Sequence, residues 1–344
     1  MTAPPVRAPA PTSARRAPRS LRRRVAATAG VAGLLLTAVP GSAALGAPAP
    51  AAQVDCAASD WTIGAIRERY VALRGPCGFL GDPLTRETPT PVRRGAFNHF
   101  EGGSIYWSPG TGAHEVHGAI RAAWERQGWE NSPVGFPLTD EVPTPDTFGA
   151  FSHFEAGSIY WAPTTGAYEV RGGIRAAWGY LGWENSILGF PTSDETVIPG
   201  VEAGAYNNFQ SGSIYHSAAT GAHEVRGLIR DKWVKLGSEK SVLGFPATNE
   251  IGTPGRPGAF NHFYNEQDGS VGSIFWSPAT GAHMLRGPIR ERWAQLGWEA
   301  SALGFPAKDE YLLAGGGRRS DFQNGYITWR PSTGAVVHLS SASG

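Results

Sequence analysis

Cysteine and methionine are almost missing from this 344-residue chain, two of each, and charged residues make up only 17% of it. Two cysteines are too few for a Cys-rich zinc site or a disulfide-dense scaffold. No apolar run reaches the ~20 residues of a membrane-spanning helix; the longest, Val25 to Val39, holds 15 with several Ala and Gly. A G-x-S-x-G elbow, a helical H-E-x-x-H and a Gly-rich loop with phosphate-binding spacing are absent, which removes the usual signs of serine acyl transfer, zinc hydrolysis and nucleotide binding. What the chain does have is 41% hydrophobic residues and 12 Trp, enough to bury a core, with 46 Gly and 27 Pro. So many turn formers argue for short elements and against a helical bundle.

The first 50 residues contain no acidic side chain. Arg7, Arg15, Arg16, Arg19, Arg22, Arg23 and Arg24 precede the apolar run, and Gly41-Ser42-Ala43-Ala44 supplies small residues for cleavage, the pattern of an export signal. Arg22-Arg23-Arg24 partly matches a twin-arginine signal, so two export routes stay open. Residues 1–50 are read as the signal and an Ala/Pro-rich segment, removed in part or whole. Their loss leaves 23 basic against 29 acidic residues, a net charge of −6. A mildly acidic chain has no basic patch with which to displace counterions from nucleic acid or an anionic membrane. Cys56 and Cys77, 21 positions apart, are expected to form one disulfide tying the mature N-terminus to the rest of the chain. The protein is expected to be secreted and monomeric, with no cofactor, no metal and no membrane span.

Self-comparison shows five copies of one unit in residues 51–344, at about 61–115, 116–169, 170–224, 225–284 and 285–340. Ile66, Ile120, Ile174, Ile229 and Ile289 mark the start of each, and Trp comes four residues later in four copies (Tyr70 in the first), so each unit opens with a short amphipathic helix. Gly75, Gly128, Gly182, Gly237 and Gly297 are assigned as C-terminal caps. An L-G-F-P element comes next, then a glutamate (Glu87, Glu141, Glu195, Glu250, Glu310), then three short strands with a T-G turn before the last. Residues 264–271 in the fourth copy are an insertion expected in a hairpin loop. One helix and three strands cannot bury their faces alone, so neighbours must stack. The end copies are nearly as apolar as the middle ones, so an α+β repeat protein closed into a ring is expected rather than an open solenoid.

The recurring L-G-F-P, the downstream acids and G-x-I-Y-W-x-P-x-T-G-A-H-E-V-x-G resemble the LGFP repeat family of secreted and envelope proteins of actinobacteria, over residues 61 to 338. The resemblance implies a star-like closed arrangement, location in the cell wall and attachment to its polysaccharide, arabinogalactan or peptidoglycan. Asp82 replaces Phe in the first copy, His216 replaces Trp in the third, and Thr328 and Val336 replace Tyr and His in the fifth. These departures imply unequal ligand binding by the five copies.

Candidate site residues divide by whether every copy keeps them. The glutamates and the helix arginines (Arg67, Arg121, Arg175, Arg230, Arg290) recur in all five, so a structural role is expected: capping backbone N–H groups, or pairing Glu with Arg. Trp124, Trp178, Trp233, Trp293, the phenylalanines Phe100, Phe154, Phe209, Phe263 and Phe322, and Trp107, Trp161, Trp276 and Trp329 are expected in the core. His99, His153 and His262, with Asn208 and Asp321 in the other copies, are expected to bond backbone. His114 and His117 on a strand would face opposite sides and hold no zinc. Trp129, Trp183 and Trp298 are replaced by other residues in two copies, so the fold does not demand them. They are the first choice for a sugar-stacking platform, with Glu130, Glu184 and Glu299 accepting hydroxyl hydrogen bonds. The expected function is non-catalytic wall binding; a glycan hydrolase using a carboxylate pair and a scaffold for another exported protein are the alternatives.

Overall fold

Each repeat begins where an extended residue meets a glycine with positive φ and the chain turns into a helix: α1 (Gly64–Ala72), α2 (Gly118–Arg126), α3 (Gly172–Leu181), α4 (Gly227–Leu236) and α5 (Gly287–Gln295). This structure, a computed structural model, describes residues 56–145 and 148–340, all within one compact unit. The proposed export signal lies outside the described residues. Gly128, Gly182, Gly237 and Gly297 adopt the left-handed conformation expected of helix caps, φ 95 to 109°. In the first copy the cap is Arg74, φ 76°, and Gly75 occupies the place of Trp129, so the expected cap there is one residue out of step.

A sheet comes after every helix. The first consists of Thr88–Pro89, Ala96–His99, Gly103–Ser108 and Gly112–His117 paired antiparallel in that order, and the other four repeat it. Four strands thus replace the three expected. The additional one is only two residues long in each unit, too short to leave an alternating pattern. In the fourth sheet Phe245–Pro246 also pairs, and the insertion lengthens the hairpin of Ala259–Asn265 with Ser270–Ser277, as expected of a loop.

Packing explains why the helical aromatic recurs. Trp124 is fully buried, lying edge-on to Tyr106 of the first sheet at 4.6 Å and against Phe154 of the second at 5.4 Å. Trp178, Trp233 and Trp293 repeat this contact pattern. Emptying such a site costs roughly 3–5 kcal/mol. Trp124 Nε1 and Trp233 Nε1 donate to the carbonyls of Gly135 and Gly244 at 3.1 Å, and the Tyr70 hydroxyl donates to Gly81 at 2.7 Å. Tyr70 therefore keeps the donor that the indole supplies elsewhere.

The L-G-F-P element clasps neighbouring units. Val134, Leu188, Leu243 and Leu303 fill the core. Gly135 has φ 80°, and a Cβ there would stand 2.2 Å from Glu155 Oε2, whose carboxylate accepts the Phe136 N–H at 2.8 Å. The Phe136 ring reaches back to Gly95 at the edge of the preceding sheet, as Phe190 does to Gly149 and Phe305 to Gly258. Asp82 stands in the first copy, where no sheet precedes it among the described residues.

The strong contacts between units join neighbours in the sequence. Helices α2 to α5 each lie between two sheets, whereas the main sheet contacts of α1 are with its own sheet. In place of a preceding sheet, the segment from Cys56 is held by the Cys56–Cys77 disulfide beside α1, leaving Tyr70 fully buried. The fifth sheet carries Arg319, Thr328 and His338 where the first carries Phe97, Tyr106 and Val116. Arg319 pairs with Asp321 at 2.6 Å and lies over Tyr326, which stacks on His338. The expectation of a ring rested on apolar ends; this end is polar.

Replacing Cys56 and Cys77 together by Ala is expected to lower the unfolding free energy by about 3 kcal/mol. α1, packed mainly on its own sheet, should lose hydrogen-exchange protection first. Denaturant melts with native-state exchange check this; an unchanged midpoint would remove the disulfide's role as an end cap.

Candidate functional site

Two polar arrangements recur between units. One faces the core. Arg121 Nε donates to Ser104 Oγ at 2.6 Å, its Nη2 approaches His99 Nδ1 at 3.4 Å, and the serine and histidine are 2.7 Å apart. A guanidinium only donates, so Nδ1 is an acceptor and the ring is neutral. Burial and the arginine charge hold His99 and His153 below the usual histidine range and bring His262 down to about 4. This is not a nucleophile and its base. Ser104, Ser158, Ser213 and Ser273 are fully buried, and Asn208 Oδ1 replaces the imidazole acceptor in the third unit. The histidines bond serine side chains rather than backbone, and Arg121, Arg175, Arg230 and Arg290 go to these serines rather than to the recurring glutamates, because they point back toward the preceding sheet, while Arg67 reaches the Ala58 carbonyl and Asp60.

Trp129, Trp183 and Trp298 belong to this arrangement. Each begins a short 3-10 turn, half-buried, with the guanidinium of Arg121, Arg175 or Arg290 over its ring at 4.9 to 5.2 Å. Trp129 also lies parallel to Tyr106 and edge-on to Trp124. Glu130, Glu184 and Glu299 are only 3 to 8% exposed, so they are not the surface hydroxyl acceptors expected. The 3-10 turn directs them inward, where the side chains of Asn131 and Asn185 donate to the first two.

The second arrangement opens outward. Between the second and third units, Arg171 reaches Glu169 at 3.3 Å and Glu195 at 3.0 Å beside His216, in a cavity of about 440 Å³. The same lining recurs one unit on with Arg226, Glu250 and Trp276 around about 230 Å³, and again with Arg286, Glu310 and Trp329 around about 180 Å³. The third cleft also has Arg318, paired with Glu310 at 2.9 Å. At the first junction His117 stands for the arginine, 2.8 Å from Glu115 and 3.4 Å from Glu141, and the Glu115 bond raises its pKa. His114 turns instead to Asp140, so the two histidines do not converge. The 440 Å³ cleft is the largest of the series. His216 lies against Gly173, where a Cβ would come within 2.7 Å of the ring, while Ala119, Leu228 and Pro288 fill that place in the other helices. His216 Nδ1 faces the Ala203 carbonyl at 2.8 Å, so Nδ1 carries a proton and donates it there.

Of these residues the sequence had marked the glutamates as structural and the tryptophans as core. Trp161, Trp276 and Trp329 prove half-buried, with one side on the core. Arg171, Arg226 and Arg286 were missed; their signal was the recurring x of the E-V-x-G motif, basic in most copies.

The family description LGFP repeat matches residues 80–132, 134–186, 188–241, 243–301 and 303–340. The chain belongs to the LGFP repeat family. These matches start at the L-G-F-P clasp and run through the next helix, so the last holds a sheet alone. Among solved structures, a hemopexin fold protein, CP4 from cow pea, is 15% identical over 60% of this chain and 94% of its own, with a TM-score of 0.16. The extracellular domain of a one-component system from B. thetaiotaomicron is 11% identical, over 74% of this chain and 34% of its own, with a TM-score of 0.15. Neither likeness is close enough to bear on fold or function. No curated protein matches the chain.

Buried carboxylates give this LGFP protein a pH signature. Burial pushes Glu169 up to about 7, against the opposing pull of Arg171. A carboxyl whose folded pKa is raised stabilises fully below its unfolded value near 4.5 and loses that stability as pH rises through about 7. Glu169→Gln should therefore match the parent near pH 4.5 and be the more stable by up to about 3 kcal/mol above pH 8. Equal stability differences at both pH values, in thermal melts, would contradict the shift.

Proposed function

We propose that this protein of the cell-surface LGFP type is secreted and non-catalytic, and holds envelope polysaccharide, arabinogalactan or peptidoglycan glycan, in the clefts between successive units. The observation that carries the reading is recurrence: the same Arg, Glu and aromatic or imidazole side chain line three successive clefts. A polymer with repeating sugars meets repeated sites, and a half-buried ring beside a carboxylate and a guanidinium offers an apolar wall next to hydroxyl acceptors and donors. The disulfide accords with an oxidising, extracellular location. Among the described residues no helix is long and apolar enough to cross a membrane.

Repetition also supports the absence of catalysis, since an active site is a unique constellation and a hydrolase needs two acids facing one cleft. Beside His216 only Glu195 lines the cavity; Glu169 sits behind Arg171, 4% exposed in its side chain. A disulfide-held segment at one end and a polar sheet at the other support units that stack in a row, with the clefts between successive units.

Co-sedimentation with isolated actinobacterial wall tests this. Binding should be saturable, lost when polysaccharide is stripped, and weakened by Glu195→Gln, His216→Ala and Trp276→Ala combined in a folded variant. A Trp129, Trp183 and Trp298 triple alanine variant reports separately on the half-exposed indoles. Binding no greater than that of a heat-denatured control would overturn the proposal.

A further inference from the structure

Four junctions place one acid or amide at the same point. Oδ1 of Asp140, Asp194, Asn249 and Asp309 accepts the backbone N–H of Glu115, Glu169, Glu224 and Met284 at 2.9 to 3.0 Å. The second oxygen distinguishes them. Arg69 of α1 supplies a cation to Asp140, and Lys232 of α4, at the same helical position, supplies one to Asp309. At the third junction α3 has Ala177 in that position, and the partner is the uncharged Asn249. Charge and countercharge are thus present together or absent together.

The second junction breaks the pattern. Asp194 keeps its carboxylate, while α2 offers Ala123 where α1 and α4 offer a cation. A histidine also directs Nδ1 toward the acid or amide at the other junctions, His114 at 3.4 Å, His223 at 3.4 Å and His283 at 3.6 Å; here Tyr168 replaces it. Neither change gives Asp194 a cation. A cavity of about 580 Å³ is lined by Ala119, Ala122 and Arg126 of α2, by Ala167 and Tyr168 of the outer strand, and by Asp194. Arg126 donates to the Ala167 carbonyl at 3.4 Å, not to Asp194.

We propose that this cavity binds the ammonium group of an external ligand, seated on Asp194 as Arg69 and Lys232 are seated on their acids, with the Tyr168 ring as a wall. The site is separate from the Arg, Glu and aromatic clefts and does not rest on the polysaccharide reading. Ammonium groups occur on amino sugars and on amino-acid ends. The Arg126 guanidinium, at the same cavity, favours a ligand that also carries a carboxylate.

The test is an amide-resolved NMR titration of the purified protein at low salt with glucosamine, N-acetylglucosamine and diaminopimelate. Amides of residues 166–168 and 194 should shift saturably with the two amines and not with the acetylated sugar. Asp194→Asn, which copies the side chain already tolerated at Asn249, should weaken binding about fivefold. Ala123→Lys should rebuild the sister junction and block the site; Asp194→Asn alone decides the matter if that variant does not fold. Tighter binding of diaminopimelate, lost in Arg126→Ala, assigns an amino-acid end, and tighter binding of glucosamine assigns an amino sugar; either supports the proposal. Equal shifts with N-acetylglucosamine, or none with any probe, overturn it.

Discussion

One aromatic side chain per helix, wedged between two sheets, is the contact on which the architecture depends. Trp124, Trp178, Trp233 and Trp293 each touch a ring on the sheet before and a phenylalanine on the sheet after, so each of the first four sheets needs the helix of the next unit to finish its core. The L-G-F-P turn adds a second link as its phenylalanine reaches the preceding sheet past a glycine. Both links run between neighbours, so stability is approximately a sum over junctions. The ends are then the problem, and the chain meets it differently at each: a disulfide-held segment at α1, and a sheet refaced with Arg319, Thr328 and His338 at the other end.

Charge is buried along the same junctions. Glutamates of the outer strands, 3% exposed at Glu115, Glu169 and Glu224, face a histidine or arginine two residues on. A buried ion is costly unless paired and hydrogen-bonded. Reciprocal bonds lower that cost: Asp140 accepts the Glu115 N–H, and Glu115 accepts the Glu141 N–H. The outer rim of these networks forms the clefts, so one set of side chains holds the units together and lines the surface available to a ligand.

The fold was largely legible in the sequence because its demands recur. Five spaced isoleucines, four of the five capping glycines and the helix aromatics were placed correctly, each obeying local periodicity or backbone conformation. The first cap was misplaced because Arg74 takes a left-handed conformation usually left to glycine. The candidate site was less legible. Trp129 and Glu130 stand next to each other in the chain, yet a 3-10 turn sends the indole under Arg121 and the carboxylate inward. Arg171 and Glu195, 24 positions apart, meet only across a junction.

The sequence by itself determined the five units, their family, the element that opens each one and the residues filling its core, because these depend on local spacing and burial preference. Tertiary structure alone decided how the end units are covered, which acids face solvent and which departures matter. Asp82, Thr328 and Ala123 look like equivalent exceptions in the sequence. Among the described residues, Asp82 has no preceding sheet and Thr328 no following helix, whereas Ala123 lies between two sheets and gives Asp194 no cation of the kind Asp140 and Asp309 have. That distinction depends on which units are neighbours, which no single repeat encodes.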